Sequence, residues 1–74
     1  MRRRNPRRLV LAALRSHGPM SDPQIVWWMS HFAVSEASTR RARRQLTAAG
    51  AVRWARRVQS NSRGQLIHVW EAVR

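Results

Sequence analysis

Val34-Ser35-Glu36-Ala37-Ser38-Thr39-Arg40-Arg41-Ala42-Arg43-Arg44-Gln45-Leu46 is the stretch whose reading decides the fold. At helical spacing, Ser35, Thr39, Ala42, Leu46 and Ala49 fall in one narrow stripe. Arg40, Arg41, Arg43 and Arg44 fall largely outside it, and Glu36 is the single acid of the segment. Four arginines within five positions repel one another, so an isolated solvated helix of this composition is poorly supported. A helix lying against a polyanion is not. An α-helix fits the major groove of B-DNA, and guanidinium groups pair bidentately with phosphates and with guanine edges.

Outward from this segment the chain is well punctuated. On its C-terminal side Gly50 ends the helix and the period changes from helical to two-residue. Val52, Trp54, Arg56 and Val58 alternate with Arg53, Ala55 and Arg57. Ser60-Asn61-Ser62-Arg63-Gly64 has turn chemistry, and Gln65 to Val73 is rich in β-branched and aromatic residues. Folding the two runs about that turn with Gln59 opposite Gln65 sets Trp54 against Trp70, Val58 against Leu66 and Arg53 against Glu71. An aromatic pair and an opposite-charge pair then appear together.

On the N-terminal side Ser35 is the natural cap, preceded by a short connection from Ser30 to Val34. Ser21-Asp22-Pro23-Gln24 starts an earlier helix, with Ser21 and Gln24 spaced as a capping box. Ile25, Trp28 and Met29 share its inner face, and Phe32 continues it just beyond. Trp27 points roughly the other way. The first helix starts at Asn5-Pro6, carries Leu9, Val10, Ala13, Leu14 and His17 at helical spacing, and stops at Gly18-Pro19. The reading is a basic arm over residues 1–5 and one domain over 6–74, with no repeat and no linker.

The chain has 74 residues and a net charge of +12, from fifteen basic residues and three acids, Asp22, Glu36 and Glu71. Every basic residue is arginine. A high-G+C coding bias explains arginine in place of lysine, but not so large an excess over acids. Nucleic acid is the expected partner at this charge density, ahead of an acidic protein or a membrane surface. A chain of this length buries only about two-thirds of its unfolded surface, so the expected core is thin, and a homodimer would help it. There is no cysteine, hence no disulfide and no zinc–thiolate site, in keeping with a cytoplasmic, nucleoid-associated protein of a bacterium or phage-infected host. The run Leu9 to Leu14 after the arginine-rich start is too short for a signal peptide or a membrane span.

Three helices followed by a two-stranded antiparallel hairpin with a basic tip resemble the winged helix-turn-helix superfamily over about residues 6–73. Leu46-Thr47-Ala48-Ala49-Gly50-Ala51-Val52 looks like the end of the recognition helix and entry into the wing in MarR-like and ArsR-like regulators. Gly18-Pro19-Met20-Ser21 resembles the connection between the first two helices, where Met20 would add a short third strand. Ser38-Thr39-Arg40-Arg41 resembles the polar, basic start of the recognition helix. The chain departs from the family in lacking a larger aliphatic residue at Thr39 or Arg43, in the pair Trp27-Trp28, and in having neither the long dimerisation helices nor an effector domain of full-length regulators.

The resemblance implies an α+β, mostly helical fold and a sequence-specific double-stranded DNA-binding protein, a small regulator of transcription with its third helix in the major groove. The expected contacts are Arg40, Arg41 and Arg44, helped by Ser38 and Gln45, with Arg43 on the flank touching backbone. Arg56, Arg57 and Arg63 would line the wing, and Arg2, Arg3 and Arg4 would follow the minor groove as an arm. For Arg7, Arg8, Arg15 and Arg74 a solvated surface charge is the simpler reading. Trp54 and Trp70 read as packing between wing and core, with stacking on single-stranded bases as the alternative, Trp28 as core, and an outward Trp27 as an anchor for a protein partner or a second copy. A phage or mobile-element excision or architectural factor, a protein-interaction module and a structured-RNA binder are the competing functions. His17, His31 and His68 lie on three elements without metal-ligand spacing, and no nucleophile–base pair or phosphate loop is present, so neither enzyme activity nor a metal or cofactor is expected.

Overall fold

The computed structural model describes residues 5–59 and 66–73. The order of elements is α1 (Pro6–His17), β1 (Met20–Ser21), α2 (Asp22–Ser30), α3 (Glu36–Ala48), β2 (Val52–Gln59) and β3 (Leu66–Ala72). This is a mixed α+β arrangement, mostly helical, with one antiparallel sheet in the order β1-β3-β2. Arg2, Arg3, Arg4 and Arg63, together with the turn over residues 60–65, lie outside the described residues.

The helix ends are made by the residues the sequence points to. The Asn5 side chain accepts the Arg7 N–H at 3.0 Å, with Pro6 in the first turn. Ser21 and Gln24 form a reciprocal capping box, Gln24 Oε1 accepting the Ser21 N–H at 2.9 Å. Ser35 Oγ accepts the Ser38 N–H at 3.1 Å. Gly50 sits at φ 80°, and the N–H groups of Gly50 and Ala51 donate to Thr47 O and Leu46 O. That is the paired closure of a Schellman motif.

The same closure ends α2, where nothing in the sequence announces it. Ala33 and Val34 donate to Ser30 O and Met29 O, and Ala33 takes the left-handed conformation at φ 57°. A side chain there costs about 1–2 kcal/mol, which the packing around the α2–α3 corner must offset.

Val10, Ala13 and Leu14 of α1, Ile25 and Met29 of α2, and Ala42 and Leu46 of α3 meet Met20 and Val52 in one core cluster. Leu9, Trp28 and Trp70 pack against it from the side. The expected stripe of α3 is buried at Thr39, Ala42 and Leu46, whereas Ser35 and Ala49 at its ends are exposed. With small residues at two of three positions, α3 lies close to the core but gains little from it.

The sheet carries the short third strand expected at Met20 and departs from the expected hairpin in its register. The third strand forms because Met20 and Ser21 pair with Trp70 and Val69. Ser21 must be extended to cap α2 (φ −77°, ψ 163°), so its backbone is already shaped to bond the free edge of β3. The register changes partway along the hairpin. Val52, Arg53 and Trp54 face Ala72, Glu71 and Trp70 as expected, but a bulge at Ala55 then sets Arg56 against Val69 and Arg57 against His68. Val58 therefore pairs with Ile67 rather than Leu66, and Gln59 with Leu66 rather than Gln65. One extra residue reverses which side chains share a face. Among the described residues no helix is long and apolar enough to cross a membrane.

Candidate nucleic-acid interface

Burial of Thr39, Ala42 and Leu46 turns the opposite side of α3 to solvent, and that side carries Arg41 and Arg44. Ala37 and Ala48, small and exposed, sit beside them, so nothing bulky keeps another surface away from the helix. Ser38, Arg41 and Gln45 follow one another along the helix at i, i+3 and i+7. They line a shallow cleft whose far wall is Asn5, Pro6 and Arg7 at the start of α1. Arg7, set aside in the sequence as a surface charge, is thus a neighbour of the α3 arginines. Arg8 lies next to it, by Gln45 and Leu46. Only tertiary packing brings α1 to α3, so no local signal distinguishes these two arginines from Arg15.

Each acid of the chain is occupied by an arginine elsewhere. Glu71 accepts from Arg53 at 2.7 Å across the β2–β3 pair. Glu36 lies 3.6 Å from Arg40, an exposed helical pair of small energetic value. Asp22 receives Arg43 through both oxygens, at 2.9 and 3.1 Å, and lies 3.7 Å from Arg40. Arg7, Arg8, Arg41, Arg56 and Arg57 have no ion pair among the described residues. Arg44 likewise has none there, and donates to the backbone oxygen of Arg40 at 3.4 Å. Arg15, at the end of α1, is likewise unpaired among the described residues; the other unpaired arginines gather on α3's outer face, the start of α1 and β2.

Arg43 is turned inward, away from the backbone contact expected of it. Its side chain is only 12% exposed, its guanidinium lies 3.9 Å from the centre of the Trp70 ring, and it also donates to Thr47 at 3.3 Å. One side chain thereby joins α3 to the first turn of α2 and to β3. Asp22, an ordinary first-turn acid in the sequence, is the other half of this clasp. Asp22→Ala would leave a largely buried guanidinium without its anion. The expected loss is about 1.5–3 kcal/mol, below the value for a fully buried pair because Asp22 keeps 19% exposure. A urea-melt double-mutant cycle with Arg43→Met measures the coupling, and additive effects would refute the clasp.

The tryptophans divide differently from the expectation. Trp70 packs on the core and Trp28 is half-buried, its ring 4.2 Å from that of His17. Trp54, expected to pack inward, is 48% exposed. Trp27 is 62% exposed, with His31 at 4.7 Å between ring centres, and borders a shallow apolar groove formed with Pro19, Met20, Pro23 and Trp28. No group of three or more His, Asp or Glu side chains gathers as a metal site among the described residues. In comparisons with known proteins, no family model matches the chain and no curated protein resembles it significantly.

Proposed function

We propose that this chain is a winged helix-turn-helix domain that binds double-stranded DNA sequence-specifically and acts as a small regulator of transcription. The observation that carries the reading is the outer face of α3. Arg41 and Arg44 stand there without acidic partners, flanked by Ser38, Gln45 and Arg7. The order of three helices before a hairpin, with β1 added to the sheet, supports the winged-helix assignment.

Arg41, Arg44 and, after release from its two long ion pairs, Arg40 would enter the major groove with Ser38 and Gln45. Arg7 and Arg8 would meet the flanking phosphates. Arg56 and Arg57 would do so from β2, with Arg63 at the tip and Arg2, Arg3 and Arg4 in the arm. An excision or architectural factor of a phage or mobile element would use the same surface, with DNA bending as its output.

Selection of bound sequences from a random duplex library at physiological salt tests the reading. A defined motif is expected. Enrichment of no sequence, or displacement of duplex by structured RNA at matched salt, would overturn it. A second reading, a protein-interaction module, is favoured by exposed Trp27. Recovery of a stoichiometric protein complex that excludes DNA and is lost in Trp27→Ala would support that alternative.

A further inference from the structure

The bulge at Ala55 has a chemical consequence on the face of the sheet that α3 covers. Alternation along β3 puts Leu66, His68 and Trp70 on one face, and cross-strand partners share a face. Trp54 pairs with Trp70 before the bulge and Arg57 with His68 after it, so Trp54, Arg57 and His68 stand together. Without the bulge, Arg57 would stand on the opposite face. His68 joins the rings into one cluster: its centre lies 6.4 Å from that of Trp54, edge-on at 61°, and 6.4 Å from that of Trp70, near-parallel at 22°. The cluster's inner end is closed, since Arg43 of α3 lies over Trp70. Its outer end is open: Trp54, His68 and Arg57 are all exposed.

We propose that Trp54 and His68, with Arg57 beside them, form a stacking platform for unpaired nucleobases of a DNA strand running off the duplex held by α3. An aromatic face offers a sequence-tolerant surface to any base, and an adjacent guanidinium neutralises the phosphate that accompanies it. Arg57 has no ion pair among the described residues, and it meets no acid across the strand pair. An apolar protein segment would use the rings but not the cation, so the charge favours nucleic acid. The platform extends the DNA-binding reading from duplex to duplex with a single-stranded tail, and rests on that reading for the duplex part.

The test compares a blunt duplex carrying the selected sequence with the same duplex bearing a single-stranded thymidine tail, for the full chain and for Trp54→Ala, Trp54→Phe and Trp27→Ala. The tail is expected to raise affinity about ten-fold, the size of one base–aromatic stack, and Trp54→Ala to remove that gain while leaving blunt-duplex affinity unchanged. Trp54→Phe should retain most of the gain and Trp27→Ala all of it. No gain from the tail, or a gain that persists in folded Trp54→Ala, would overturn the platform. Failure of the α3 reading is separate: it appears as blunt-duplex binding indifferent to Arg41 and Arg44.

Discussion

Replacing Arg41 and Arg44 together with glutamine is expected to lower affinity for a selected duplex roughly a hundred-fold or more, with no loss of stability. Each bidentate guanidinium contact to a base edge contributes about 1–3 kcal/mol of discrimination, and two such contacts multiply. Both residues are exposed and neither has an ion pair among the described residues; their removal gives up the long, exposed 3.4 Å bond from Arg44 to the Arg40 oxygen, which contributes little. Glutamine is a good helix former, and two fewer cations relieve repulsion along α3. The salt dependence separates their roles. An arginine on phosphate lowers the slope of log affinity against log salt by about one when removed, whereas a base-reading arginine relaxes preference at one position of the site. Unchanged affinity in a folded double variant would take α3 out of the interface.

Ile25→Ala is expected to cost about 2–5 kcal/mol, read as a fall in the urea midpoint. A chain of 74 residues has only roughly 4–11 kcal/mol to lose. Ile25 is fully buried where α2 meets the other helices, and α3 contributes only one large apolar side chain, Leu46, to the same cluster. The surroundings therefore have little freedom to close the cavity. Saturating duplex should restore part of the midpoint, because a ligand that binds only the folded chain stabilises it by mass action. A cost below about 1 kcal/mol would place the centre of the core elsewhere. The two variants oppose each other usefully: one loses binding and keeps the fold, the other loses the fold and regains some of it from the ligand.

Much of the architecture was legible because its determinants are local. Asn5-Pro6, the Ser21/Gln24 box, Ser35 and Gly50 each act within one helical turn, and the helices begin and end where these residues direct. The change to two-residue alternation after Gly50 marked the hairpin, and the Arg53–Glu71 and Trp54–Trp70 pairs gave its first register correctly. The bulge at Ala55 escaped because alternation alone cannot reveal an extra residue. Ala33 escaped because its left-handed corner is closed by backbone hydrogen bonds to Ser30 and Met29 without the glycine that would mark it.

The candidate interface was half legible. A helix with a thin apolar stripe must bury that stripe, so exposure of Arg41 and Arg44 follows from Thr39, Ala42 and Leu46. The arginine run did not show that Arg43 differs in kind from its neighbours. Its destination depends on Asp22, twenty-one positions earlier, and on Trp70 in another element. Arg7 beside Ser38, and Arg57 beside Trp54, are likewise products of long-range pairing.

The sequence by itself determined an excess of positive charge, the helices and their caps, and a helix with one face too polar to bury. Those properties depend on composition and on interactions within a few residues. Tertiary structure alone decided which arginines remain free to meet an anion and which are consumed in holding the fold. That choice follows from where three scarce acids and one indole ring arrive in space, because a guanidinium joins whichever anion or aromatic face packing brings within reach.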